Sequence, residues 1–249
     1  MDIYLLVISF FIIALIYSSV GFGGGSSYLA LMAQPFFGLL PEVIRPTALL
    51  CNIVVVTAGT FIFYQDGKLS WKDTWIFLVA SVPMAFLGGF WKLQESTFFI
   101  LLGLTLLLAS MFLWMKQDKD QEPISVKVSG IKQLGIGGAI GFLSGLVSIG
   151  GGIFLSPILH LMNWADAKRI SALASVFILV NSIGGLLGQF SRGLPVLDWR
   201  LIATLLVAVF AGGQIGSRLG ARKFNPLYIR RITALLILIA SINILKDHL

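Results

Sequence analysis

The chain has 249 residues, of which 57% are hydrophobic and only 12% are Asp, Glu, Lys or Arg. Soluble domains carry about 25% charged residues, so this composition excludes an ordinary water-soluble globule. Lys and Arg number 18 against 11 Asp and Glu, a net charge of +7; in a membrane chain that excess belongs to basic loops beside anionic lipid rather than to nucleic-acid binding.

In chain order, the first apolar run covers residues 3–41 without a single charged side chain. One spanning helix needs about 20 residues, so this run is too long for one helix and too short for two comfortable ones. Within it lies Val20-Gly21-Phe22-Gly23-Gly24-Gly25-Ser26-Ser27. Each glycine costs a helix about 1 kcal/mol relative to Ala, so the segment is expected to break there, as a re-entrant hairpin or as two short helices. The N-terminus lacks a basic region and a small-residue cleavage site, which reads as a retained membrane segment. Charge-free stretches at 46–65, 74–91 and 96–115 predict three spanning helices. Residues 116–130 form the longest polar stretch, too short to fold alone. A second long run, 133–165, is again free of Asp, Glu, Lys and Arg and carries Gly150-Gly151-Gly152. Stretches 170–191 and 201–217 predict two more spans. The last helix is expected to start near Leu227, with Arg230 and Arg231 snorkelling to the interface. Cys51 is the only cysteine; it reads as a small buried apolar residue.

The chain repeats itself. Gly23-Gly24-Gly25 recurs as Gly150-Gly151-Gly152, and Glu42-x-x-Arg45-x-Thr47-Ala48-Leu49 recurs as Asp166-x-x-Arg169-x-Ser171-Ala172-Leu173. The halves are residues 1–115 and 131–249, joined by linker 116–130. Glycine-interrupted segments in corresponding places mark secondary transporters built from repeats.

Loop charge decides how the halves are related. If each long run crosses once, the repeats are parallel, and Lys plus Arg divide 9 to 9 between the two sides. If each run breaks and makes the number of passes in each half odd, the repeats are inverted and the division becomes 13 to 5. The positive-inside rule favours the second. The expected fold is therefore an all-α polytopic membrane protein of two inverted repeats, each a glycine-broken segment plus three transmembrane helices. Linker 116–130 is expected in the cytoplasm and both termini outside the cytoplasmic membrane.

Broken backbone at membrane depth is tolerated only where protein or a watery cavity covers it. A helix restarting after such a break offers free N–H groups and a positive dipole end, which suit an anion. Gly23, Gly24, Gly25, Ser26 and Ser27 form the first candidate site; Ser148, Gly150, Gly151, Gly152 and Ile153 form the second. Close helix packing through small residues is the alternative reading of the glycines. Arg45 and Arg169 read either as interfacial ion pairs with Glu42 and Asp166 or as entrance charges. Thr47, Ser171, Asn52, Asn181, Gln189 and Gln214 are candidate path-lining residues or interhelical glue. All eleven Asp and Glu sit in or beside loops, so nothing supports a carboxylate cation site or proton relay. No nucleophile–base set, metal cluster or nucleotide loop occurs, so the chain reads as no enzyme, with no cofactor and no metal. Its partners are a small anionic substrate and the lipid bilayer; a homodimer is compatible with the sequence.

The glycine segments, in their settings Val20-Gly21-Phe22-Gly23-Gly24-Gly25 and Ser148-Ile149-Gly150-Gly151-Gly152-x4-Pro157, resemble those of the TauE/SafE family of sulfite exporters and sulfonate permeases. The resemblance covers nearly the whole chain, although Ala30 stands where the first half would match Pro157. It implies transport of sulfite or a small organosulfonate, usually as export; the alternatives are an importer of another small solute or a membrane scaffold. The topology has a direct test. Single cysteines replacing Lys119 and Arg222 are expected to resist an impermeant thiol reagent added to intact cells; ready labelling of both overturns the inverted assignment.

Overall fold

The computed structural model describes residues 3–19, 22–67, 69–114, 128–193, 197–220 and 226–248. Ten helices occupy them: α1 (Ile3–Ser18), α2 (Gly25–Met32), α3 (Pro41–Gln65), α4 (Trp71–Phe90), α5 (Glu95–Trp114), α6 (Gly130–Val147), α7 (Gly152–Leu161), α8 (Ala167–Phe190), α9 (Trp199–Gly220) and α10 (Pro226–His248). The expected order recurs in each half, a broken pair followed by three helices. Most of the linker, 115–127, lies outside the described residues. Five helices among the described residues, α3, α5, α6, α8 and α9, are long and apolar enough to cross a membrane.

Local chemistry sets the element ends. Pro41 opens α3, where a missing N–H costs nothing, and Glu42 sits in its first turn against the positive end of the dipole. Asp166 opens α8 by accepting hydrogen bonds from the N–H groups of Lys168 and Arg169 at 3.0 and 3.1 Å.

Both long charge-free runs break at their glycines and turn back. In the first half, Tyr28 of α2 stacks on Phe10 of α1 with ring centroids 4.6 Å apart, and the Tyr17 and Ser27 hydroxyls meet at 2.6 Å. In the second, Trp164 after α7 packs edge-on against Phe77, whose carbonyl also faces Gly137 in the middle of α6.

The halves interlock rather than sit side by side. Helix α1 packs on α9, and α6 packs on α4. Exchanging α1–α5 for α6–α10 leaves this set of partners unchanged, because α3 also pairs with α8 and α5 with α10. The equivalent helices run antiparallel. Thr60 meets Ser175 at 2.9 Å across α3 and α8, whereas Leu49 faces Gly185; Gly103 faces Leu245 while Phe99 meets His248.

Small residues allow these approaches. A Cβ on Gly137, Gly141 or Gly145 would collide with the carbonyl oxygens of Phe77, Ser81 and Ala85 in turn. With no side chain there, α4 and α6 pack backbone to backbone, which in lipid supplies dispersion contact where the hydrophobic effect supplies none between helices.

The packing also groups the charges. Arg45, Lys92 and Arg192 line one pocket at the common end of α3, α4 and α8. The inverted charge division expects these three on one side, whereas the parallel division expects Arg192 opposite Arg45 and Lys92. The antiparallel register is checked by disulfide trapping in a Cys51→Ala chain carrying a protease site in the linker. Thr60→Cys with Ser175→Cys is expected to hold the cut halves together under oxidant, and Leu49→Cys with Ser175→Cys is not. The reverse pattern overturns the register.

Candidate functional site

The two glycine breaks meet at the centre of the bundle. Gly25 lies so close to the Ile149 carbonyl that an added Cβ would sit 2.7 Å from that oxygen. Between them is a small open cavity of about 20 Å³. The first break contributes Phe22, Gly23, Gly24, Gly25 and Ser26; the second contributes Ile149, Gly152 and Ile153. Tyr17, Asn52 and Ile178 complete the wall from α1, α3 and α8. A cavity of about 10–15 Å³ holds one water, so in this conformation the space takes a group of about that size. No charged side chain lines it.

Each short helix begins in this cavity from a left-handed glycine, Gly24 at φ 84° for α2 and Gly151 at φ 87° for α7. Neither start has a side-chain cap. In the first turn of α2, the Ser27 and Tyr28 N–H groups reach back to the Gly24 carbonyl; in α7, Phe154 and Leu155 reach back to Gly151. The N–H groups ahead of them, on Gly25, Ser26, Gly152 and Ile153, have no intrahelical acceptor. A buried helix end without a cap is unusual, and here two such ends share one space.

Unpaired polar atoms surround the breaks. Asn52 donates through Nδ2 to the Ile149 carbonyl at 3.1 Å, while its Oδ1 is buried without a partner beside Gly23. The Ser182 hydroxyl flanks Gly150, the Ser144 hydroxyl flanks Gly151, and the Tyr28 hydroxyl flanks Gly24; all three are buried and unpaired. An unpaired buried polar group costs about 1–3 kcal/mol; of these residues Asn52 lines the cavity, while Tyr28, Ser144 and Ser182 lie behind the glycines.

The candidate path-lining residues divide. Ser148 is held in the left-handed region at φ 63°, and its hydroxyl is bonded by Gln189 at 3.0 Å and by Arg45 Nε at 3.4 Å. Arg45 is only 6% exposed and also reaches the Gly145 and Gly89 carbonyls through Nη2 at 3.3 and 3.5 Å. It is therefore a buried tie between halves, not an interfacial partner of Glu42. Arg169 has the other fate: it is 57% exposed and pairs with Asp166 at 3.6 Å. Thr47 bonds back to the Val43 carbonyl at 2.6 Å, the glue reading. Asn181 is buried with both amide atoms unpaired, one residue from Ser182. Ser171 and Gln214 are half-buried and line neither the central cavity nor the basic pocket.

Sequence reasoning did not single out Tyr17, Tyr28, Ser144 and Ser182. Hydroxyls in apolar spans usually bond to their own helix, as Ser110 does to Leu107 at 2.8 Å, so nothing in the sequence distinguished these.

A family model described as Sulfite exporter TauE/SafE matches residues 6–244. A probable membrane transporter protein of Sinorhizobium fredii, y4hK, is 34% identical over 96% of this chain and 97% of its own length. The probable membrane transporter YunE of Bacillus subtilis is 24% identical over 96% of both chains, and MJ0441 of Methanocaldococcus jannaschii is 25% identical over 91% of this chain and 89% of its own. No solved structure matches this chain.

The glycine geometry yields a stability prediction. In Gly151→Ala the new Cβ meets the Ser144 hydroxyl and the backbone stays left-handed. The expected loss is about 2 kcal/mol, a fall in Tm of about 4–8 °C in detergent. Gly130→Ala, where nothing lies within 4 Å of the new atom, is expected to leave Tm unchanged or raised. Equal Tm values for the two variants contradict the strained-turn account.

Proposed function

We propose that this chain, which belongs to the sulfite exporter TauE/SafE family and is a multi-pass membrane transporter, carries a small sulfur-containing oxyanion through the cavity between its two glycine breaks. The observation that carries the reading is the pair of uncapped helix starts, at Gly24 and Gly151, facing one small space. Backbone N–H groups and the positive ends of two dipoles would hold the anion. The Ser26 hydroxyl would add a donor in the same wall, with Ile153 and Ile178 closing it.

A site without ionised side chains suits a carrier. The anion is bound well enough to enter and loosely enough to leave, whereas a buried Lys or Arg at its centre would trap it. Export fits the energetics: a potential negative inside favours anion exit by about 2.3 kcal/mol per charge per 100 mV. No coupled cation is then required, in keeping with apolar spans that contain no Asp or Glu. Alternating access would rock one packed group of helices against the other about the fixed centre. In the membrane this corresponds to inverted repeats 1–115 and 131–249, a cytoplasmic linker 116–130 and both termini outside the cytoplasmic membrane.

Flux into and out of proteoliposomes tests the reading with sulfite, sulfoacetate and sulfate as separate substrates. At least one is expected to move, faster when the potential pulls negative charge toward the trans side. Asn52→Leu fills the space between the breaks and is expected to cut flux at least roughly tenfold, about 1.4 kcal/mol. Movement of none of the three by the wild-type protein rejects the substrate class.

A further inference from the structure

We infer that the chain carries a second anion-binding site, a basic vestibule at the common end of α3, α4 and α8, distinct from the central cavity. It is a pocket of about 260 Å³ open to solvent. Arg45, Lys92 and Arg192 line it against a single acid, Glu42, with Gln189 and Phe98 in the same wall.

The floor of this pocket carries the argument. The Arg45 guanidinium lies beneath the surface, yet every atom it bonds is neutral: the Ser148 hydroxyl and the Gly89 and Gly145 carbonyls. Its carbon sits 5.8 Å above the Phe98 ring centroid, within cation–π range. Among the described residues no carboxylate comes within 4.0 Å of it; the one ion pair there joins Arg169 to Asp166. Burying a charge without a counter-charge is costly. Glu42 lies in the same wall without pairing with it, so the fold holds a cation with room for a partner from outside the chain, and the two further cations on the same wall select an anion. Small oxyanions such as sulfate offer several acceptors to a guanidinium fork and to a lysine.

The second half contains the same sequence pattern in a different setting. Arg169 occupies the position equivalent to Arg45, but it is exposed and already paired. Among the described residues, the buried member of this pair lies in one half only. Through Gln189 and Arg45 the vestibule touches Ser148, at the second glycine break. This site goes beyond the central cavity and stands whether or not the central cavity binds an anion.

Calorimetry with sodium sulfate on the purified full chain in detergent, at low ionic strength, tests it. The titration is made in an Asn52→Leu background, where the central site is silenced. Ser26→Leu, which fills the same cavity, replaces it should the Asn52→Leu variant elute aggregated. Saturable sulfate binding is expected to persist there, and adding Lys92→Gln with Arg192→Gln is expected to weaken it at least roughly tenfold. Raising NaCl is expected to weaken binding in the background variant more than in the triple variant. Binding indifferent to Lys92 and Arg192 overturns the vestibule. So does loss of all binding in the silenced background when the wild type binds, since the anion then sits only between the glycine breaks and the central reading stands. Absence of binding in the wild type overturns it as well.

Discussion

A backbone group at membrane depth has to find a partner inside the protein. Two broken segments put this demand at its sharpest, because each abandons its own helical bonds inside the bundle. Neither half meets the demand alone. Asn52 of the first half donates to the Ile149 carbonyl in the second break, and Arg45 reaches Gly145 and Ser148 across the same boundary. The interlocked packing brings α6 onto α4 and α1 onto α9, and the two breaks touch across the boundary through Asn52, Gly25 and Ile149. The central cavity is whatever this contact leaves unfilled, and it exists only in the assembled chain.

Much of this was legible beforehand, for identifiable reasons. Run length and triple glycine told where the chain would break, since both act locally. The inverted relation emerged from loop charge, a signal summed over the chain, and the grouping of Arg45, Lys92 and Arg192 around one pocket agrees with it. Partner choice was not legible. Gly137, Gly141 and Gly145 announce a face that tolerates close approach, but not that the approaching backbone is α4. The way each break folds back was likewise illegible in composition and rests on the contacts of Tyr28 and Trp164.

Arg45 and Arg169 show why a symmetric sequence need not give symmetric chemistry. Both stand three residues after an acid and two before a hydroxyl. Around Arg45, Gly89 and Gly145 leave carbonyls uncovered that the guanidinium can reach, and the side chain is drawn inward. Asp166 caps its own helix and keeps Arg169 outside. One mouth therefore presents fixed positive charge, while the centre relies on dipoles. The division is chemically sensible: charge raises local anion concentration over a Debye length of about 8 Å, and dipoles hold without trapping.

The pairing of α1 with α9 also has a temporal side. Gly212 and Gly216 of α9 take the carbonyls of Phe11 and Leu15 as their neighbours, yet α1 ends at Ser18 and α9 begins at Trp199. At a synthesis rate of about 5–20 residues per second, the first helix waits about 10–40 s for its partner. During that interval the face destined for α9 meets only lipid or a chaperone, and the first half has no means of closing its own break. Biogenesis is therefore a two-act event, with insertion first and interleaving later. A nascent chain arrested after α5 would be an inserted but unfinished object, a natural target for membrane quality control.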